Sequence, residues 1–439
     1  MSQGLEKSRN SCALQGAINV LSEVHRVVPI VHSTAGCTIQ QALVNRVSSH
    51  SGFDIPSTNI IEKQVIFGGG SRLREEIKNT VKVVEGDLYV ALSGCSSELV
   101  GDDVITMAKE AQEQGEPVIY FKAPGFKGKT HLGYEGVVNA IINQLPQVTK
   151  VNTEKDLKLV NIFGIIPGQD INWIGNLEEL KRILEAIGLK ANILFGFGQG
   201  IEQWKDVPSA ALNLVFSKWG IAVGENLKKN YGIPFLTLKA NPVGAHDTAK
   251  FISEVVEILD LDKEKAREFI NNEKKKEEYY LNNIFSLYVD YNFYKTYGIV
   301  GDESIVNGIS SFLTKTLGLS TGVKVFTDPI GEEAKEALEN EKSEENVYYA
   351  EDFDEIEDIL KANDIELILG SSLEKSISEA LNIPLQVVSC PEVDNIILNR
   401  SYIGFNGAIN ILEDLTTVLL NHHRKSEEKL RKEINALII

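Results

Sequence analysis

Three of the chain's four cysteines, Cys12, Cys37 and Cys95, fall within its first hundred residues, and the fourth is Cys390. Cys37 lies in VVPIVHSTAGCTIQ and Cys95 in DLYVALSGCSSELVGDD. In both segments a β-branched run gives way to a loop of small residues and then to a helical pattern. Open α/β sheets place ligands at such strand-to-helix turns. Cys12 stands just ahead of another helical pattern, at 13–24. A thiolate is a nucleophile and a soft metal ligand, and a helix start favours its charge. Iron–sulfur clusters take thiolates, usually four, so three thiols from one chain leave room for a partner's. The plain alternative is core packing, since free cysteine is among the most buried residue types. Zinc is the rival metal, but no CxxC pair occurs. Cys390, in LQVVSCPEV, is alone in its region and reads as packing.

Other candidates have stronger structural readings. His32 and His131 read as satisfied loop histidines, and Asp102 and Asp103 as caps of the helix that follows. FGGGS at 67–71 and FGFGQG at 195–200 are not dinucleotide fingerprints, and no P-loop occurs. Their glycines suit tight turns. His422 and His423 read as surface residues of a C-terminal helix.

The elements that must position these residues alternate short apolar runs with amphipathic stretches, the pattern of βαβ units. Strands are predicted at 27–31, 64–67, 87–92 and 117–121, with helices at 13–24, 36–47, 71–84, 102–114 and 133–144. A polar linker follows at 145–158. Next come strands at 159–165, 190–195, 221–223 and 234–237, with helices at 176–187, near 207–217 and at 246–258. The charged, tyrosine-rich stretch 262–297 reads as a long connecting helix. Strands at 322–326, 346–349, 365–369 and 384–389 and a helix at about 406–436 complete the pattern. The expected architecture is α/β: three doubly wound, Rossmann-like domains with parallel sheets, at 1–150, 151–300 and 301–439.

With 62 acidic and 44 basic residues the net charge is −18, which argues against nucleic acid as a partner. No apolar run is long enough to span a membrane, and the polar start lacks an apolar signal segment. Few cysteines and no disulfide framework fit a reducing, cytoplasmic setting.

Several segments together resemble the nitrogenase component 1 superfamily: SCALQGA, PIVHSTAGC, SGCSSELVGDDV, APGFKGKTHLGY, GIIPG at 164–168, NPVGAHDT, LILGSSLEKSIS and NRSYIGFNGAINILEDL. The resemblance spans nearly the whole chain and implies three Rossmann-like domains. The gaps of 25 residues from Cys12 to Cys37 and 58 from Cys37 to Cys95 resemble those of the β-type subunit. In that subunit three cysteines hold half of the P-cluster, an [8Fe–7S] centre shared with the α subunit. The resemblance carries that role onto Cys12, Cys37 and Cys95, with a [4Fe–4S] cluster as the alternative. It also maps a hydroxyl residue near the cluster onto Thr130, where the Mo-type subunit has serine. The α-type cofactor ligands are missing: residues 96–389 contain no cysteine, and Ile403 stands where a histidine would precede GFNG. The long N-terminal extension of the Mo-type β subunit is also missing, which suits a shorter β-type relative.

The resemblance therefore implies a β-type subunit of an α2β2 nitrogenase-like reductase. It would relay electrons from an ATP-dependent iron protein to a site in the α-type partner. The substrate is dinitrogen or another species, such as a thioether. Two alternatives stand beside it: a scaffold subunit for nitrogenase cofactor biosynthesis, and a non-catalytic α/β binding protein with buried cysteines.

Overall fold

The computed structural model describes residues 9–40, 55–329 and 346–438. These form two compact units, one of residues 10–169 and 189–237, the other of Arg9 with 170–188 and 238–439. The fold is α/β with wholly parallel sheets, as the alternating pattern predicts. No helix among the described residues is long and apolar enough to cross a membrane.

The first unit holds two sheets. One is β1 (Val27–His32), β2 (Leu88–Ser93) and β3 (Val118–Lys122), in that spatial order. Every residue of β1 and β2 is buried, which explains why both read as near-continuous apolar runs rather than alternating ones. Pro29 is tolerated because β1 is an edge strand. Val28, Ile30, Tyr89 and Ala91 pack with Leu73, Ile77, Val104 and Ala108. The last four lie on α4 (Gly70–Val83) and α6 (Val104–Glu113). The alternate residues Val31, Val90 and Leu92 are buried too; α1 (Ala13–Ser22) packs against β1, and α7 (Thr130–Val148) against β3. The second sheet is β4 (Asp156–Phe163), β5 (Lys190–Asn192), β6 (Ala210–Val215) and β7 (Phe235–Thr237), ordered β5-β4-β6-β7.

The other unit holds the third sheet: β8 (Thr296–Gly301), β9 (Ser320–Phe326), β10 (Val347–Tyr349), β11 (Leu367–Gly370) and β12 (Leu385–Val387). Its order, β10-β9-β8-β11-β12, reverses at β8. Such a reversal opens a crevice at the strands' carboxyl ends. Both faces are covered. Val300, Val323 and Ile368 pack with Phe353, Ile356 and Leu360. Tyr297, Ile299 and Leu369 pack with Phe312, Ile411 and Leu415. The expected boundary at 300/301 lies inside β8.

Four expected elements differ. Residues 64–67 are not a strand but part of α3 (Glu62–Phe67); the VIF run is apolar yet exposed, so its hydrophobicity does not mark a sheet core. Residues 210–215 form β6 rather than helix. They are almost wholly buried, and period-free apolarity cannot tell a buried strand from a buried helix. Residues 221–223 begin α10 (Ile221–Tyr231) instead of forming a strand. The expected linker at 145–158 is shorter than read, since α7 continues through Pro146 to Val148 and β4 begins at Asp156. The long connecting helix is present at Lys263–Asp290, and the C-terminal helix at Gly404–Ile438.

Candidate functional site

Cys95 is the first residue of α5 (Cys95–Val100), two residues past the end of β2, with Gly94 between them. Gly94 makes the turn possible, because a Cβ there would lie 2.5 Å from Ser33 Oγ. The neighbouring loop after β1 is laced to it. Gly94 N–H donates to the His32 carbonyl at 3.0 Å, Ser97 Oγ donates to the same carbonyl at 2.7 Å, and Ser33 and Ser96 hydroxyls meet at 3.2 Å. Small side chains are needed here because two loops share one strand-end gap.

Cys37 is carried by the helical residues 35–40 that follow β1. It is half-buried, and Thr38 beside it hydrogen-bonds Ser57 at 2.7 Å. The remainder of the helix expected at 36–47 lies outside the described residues.

Cys12 occupies the residue before α1, in extended conformation. Its segment forms a short antiparallel ladder with residues 128–130. Cys12 bridges Lys129, Ala13 N–H donates to the Gly128 carbonyl at 2.9 Å, and Thr130 N–H donates to the Ser11 carbonyl at 3.0 Å. Thr130 itself is buried, and its hydroxyl accepts the Ser11 N–H at 3.1 Å. The ladder is held by two glycines where α1 and α7 cross. A Cβ on Gly16 would lie 2.0 Å from the Thr130 carbonyl oxygen, and one on Gly133 would lie 2.1 Å from that of Ala13. No larger residue permits that approach.

Two of the three thiols converge. Gly125, at the start of a single 3₁₀ turn after β3, donates its N–H to Cys95 Sγ at 3.0 Å. A Cβ on Gly125 would lie 3.4 Å from Cys95 Sγ, 3.6 Å from Cys12 Sγ and 2.8 Å from Cys12 Cβ. The sulfurs of Cys12 and Cys95 therefore flank one backbone glycine. Cys37 rises from the adjacent strand end rather than at Gly125. All three are half-buried cysteines outside any disulfide. Two soft sulfur donors beside a backbone N–H suit a thiophilic metal, and N–H···S bonds tune such centres.

The remaining candidates are structural. His32 is fully buried between Thr58 Oγ1 (3.0 Å, Nδ1) and Asp102 Oδ2 (3.0 Å, Nε2). Burial lowers its proton affinity more than Asp102 raises it. Asp102 is therefore not a helix cap. It ties β1 to Gly69, whose N–H it accepts at 2.6 Å, while Asp103 caps α6 through Thr106 N at 3.0 Å. His131 is a buried residue of α7 rather than a loop residue, with its ring 4.8 Å from that of Trp219. Cys390 follows β12, and burial with the nearby Asp302 carboxylate pushes its thiol up to about 12. Its carbonyl accepts from Arg9 at 3.1 Å. Gly16, Gly125 and Gly133 escaped the residue-by-residue reading. Their signal was present in SCALQGA and APGFKGKTHLGY, as small residues beside a candidate ligand.

Residues 12–420 match the family described as nitrogenase component 1 type oxidoreductase. The chain is 25% identical to the nitrogenase molybdenum-iron protein beta chain of Methanococcus maripaludis, over 95% of both chains. It is 24% identical to that of Clostridium pasteurianum, over 94% of this chain and 92% of the relative. The nitrogenase iron-molybdenum cofactor biosynthesis protein NifE of Clostridium pasteurianum is 27% identical over 62% of this chain and 59% of its own length. A solved structure described as nitrogenase Cp1 at pH 6.5 shares the fold, with a TM-score of 0.77 at 23% identity, covering 94% of this chain and 93% of that one. The chain belongs to the nitrogenase component 1 type oxidoreductase family.

Proposed function

We propose that this chain is the β-type subunit of a nitrogenase-like oxidoreductase. In this reading Cys12, Cys37 and Cys95 supply one half of the ligand set of an iron–sulfur cluster, and an α-type partner supplies the rest. The observation that carries the reading is the convergence of Cys12 and Cys95 on Gly125. The cluster, when bound, supplies one-electron redox chemistry between an ATP-dependent iron protein and a site in the partner.

This chain's own residues have limited tasks. The Ser11–Ala13 ladder and Thr130 hold Cys12 in place, Gly94 lets Cys95 emerge at the strand end, and the Gly125 N–H points at its sulfur. A partner covering this face is supported by apolar side chains on the segments that carry the thiols: Ile39, Leu99 and Phe126 are each more than half exposed, as are Ile66 and Phe67 on α3. Such side chains mark association surfaces when they cluster. An electron-relay role, rather than substrate chemistry, is supported by Ile403 in the place of an imidazole ligand. Ile403 is fully buried.

The test is anaerobic purification of the chain with its co-encoded α-type partner, followed by iron and sulfide analysis and electron paramagnetic resonance. A cluster signal is expected, lost in Cys12→Ala and Cys95→Ala while the two chains still co-purify. Iron content unchanged in both variants would overturn the assignment. The likeness to a cofactor-biosynthesis protein favours the scaffold as a second reading. It wins if the complex carries a cluster, reduces neither dinitrogen nor a thioether with its iron protein, and donates a cofactor to an apo-enzyme.

A further inference from the structure

Within the unit built on the third sheet, a small cavity of about 10 Å³ is lined by Asp170, Asn172, Asn176, Asn241 and Tyr402, with apolar residues that include Val388. This is about the space that one water molecule or one small ion fills. It lies beside Val388, just past β12, and Ile305, just past β8, where the strand order of an open sheet reverses and ligands bind.

The hydrogen-bond accounting around it is one-sided. Asn172 Nδ2 donates away, to the Arg400 carbonyl at 2.8 Å. Tyr402 donates its hydroxyl to Asp414 at 2.7 Å. The Asn176 Oδ1 accepts from Ser401 and Tyr402 N at 3.1 and 2.8 Å, and its Nδ2 donates to Asp170 Oδ2 at 2.8 Å. Asp170 Oδ1 accepts the Asn172 N–H at 2.8 Å. Each carboxylate oxygen thus keeps a lone pair, and the partners are neutral. Asn241 is buried (6% exposed), and its Oδ1 has no hydrogen-bond partner among the described residues. The groups left over are acceptors, one of them charged.

We propose that this cavity binds one small monovalent cation of sodium size, with the Asp170 carboxylate and Asn241 Oδ1 as its protein ligands. A buried carboxylate surrounded by neutral donors needs a positive partner. Asp170 is itself buried, and its two oxygens are held only by the Asn172 N–H and the Asn176 amide. A divalent ion is disfavoured: calcium takes six to eight oxygens and magnesium keeps several waters, and neither shell fits this volume. The site is independent of the thiols.

The test is thermal unfolding of the full-length chain in sodium, potassium and choline chloride at equal ionic strength. Sodium is expected to raise Tm by about 3 °C over choline, potassium by less, and Asp170→Asn to abolish the difference. Because Asp170→Asn could lose its fold, Asn241→Asp serves as a second variant; its added carboxylate should lower the half-saturating sodium concentration about tenfold. In a high-resolution crystal grown in sodium, the bound particle should sit closer to both oxygens than the ~2.8 Å of a hydrogen bond. Equal Tm in all three salts would overturn the proposal. So would a sodium effect that persists in Asp170→Asn, or a water at hydrogen-bond distance in the crystal.

Discussion

The first and third sheets are both parallel, fed by the same strand–loop–helix units, and each ends in a cysteine-bearing loop. Their strand ends are finished in opposite ways. After β1 and β2 the loops are Ser33-Thr34 and a lone Gly94, the cysteines are half-buried, as Cys390 also is, and Ile39 and Leu99 beside them are exposed. After β11 and β12 the gap is filled. Arg9 and Glu374, with side chains 1% and 0% exposed, form an ion pair. Arg9 also donates to Ser371 Oγ at 3.0 Å, and Glu374 accepts the Ser371 N–H at 2.6 Å. In that setting the Cys390 thiol is held protonated at neutral pH. Strand-end position alone therefore does not make a cysteine a ligand. A donor set also needs an approach that no side chain occupies and a second sulfur beside it.

The sharpest way to break this comparison is to remove the thiols. Cys12→Ala and Cys95→Ala should each reduce iron in the anaerobic complex by about tenfold or more, whereas Cys390→Ala should leave iron unchanged. Equal iron loss in all three would erase the distinction.

The next largest effect belongs to the filled end. Arg9→Ala leaves Glu374 charged and buried, and should destabilise the chain by about 3–5 kcal/mol in denaturant unfolding. Replacing both partners, Arg9→Met with Glu374→Leu, should recover most of that. An Arg9→Ala cost below 1 kcal/mol would show the socket to be wet rather than closed.

A smaller effect concerns Glu23, in the thiol-bearing unit, where burial pushes the carboxyl up to about 7 from its ordinary 4.5. The folded state then holds a proton that the unfolded state has released. Stability accordingly falls as pH rises from about 4.5 to 7 and stays lowered above that. Glu23→Gln should be more stable than the parent at pH 8 by about 1–2 kcal/mol, discounted for partial exposure, with no gain at pH 4. A gain that is flat across pH would mean the carboxyl is not the cause.

The smallest effect tests the glycine between the sulfurs. In Gly125→Ala the new methyl would sit 2.8 Å from Cys12 Cβ, too close for two carbons, so Cys12 must shift. Its N–H to Cys95 is kept. Iron content should fall about two- to threefold with Tm nearly unchanged. Full iron loading would show that the sulfurs have slack.

Much of the scaffold was legible because parallel strands buried on both faces write themselves as apolar runs, and helices as a 3.6-residue period. That is why β1, β2, β3 and β9 to β12 lie close to where the pattern puts them, while β8, the central strand of the third sheet, was not among the expected strands. It is also why α3 and β6 did not: an exposed apolar run and a period-free one carry no information about their surroundings. The cysteines were legible as candidates by type and spacing, and Cys390 as the one that stands apart.

The sequence by itself determined the α/β class, the parallel sheets and the family, since these follow from local periodicity and from motifs read in order. Only the tertiary structure decided which residues meet. Cys12 reaches Cys95 because Gly16 and Gly133 let two helices touch backbone to backbone. Asp102 turns from the helix it precedes to His32, seventy positions away. Asp170 and Asn241 come to line one cavity. These are contacts between distant segments, set by packing and desolvation, and no pattern local to either segment encodes them.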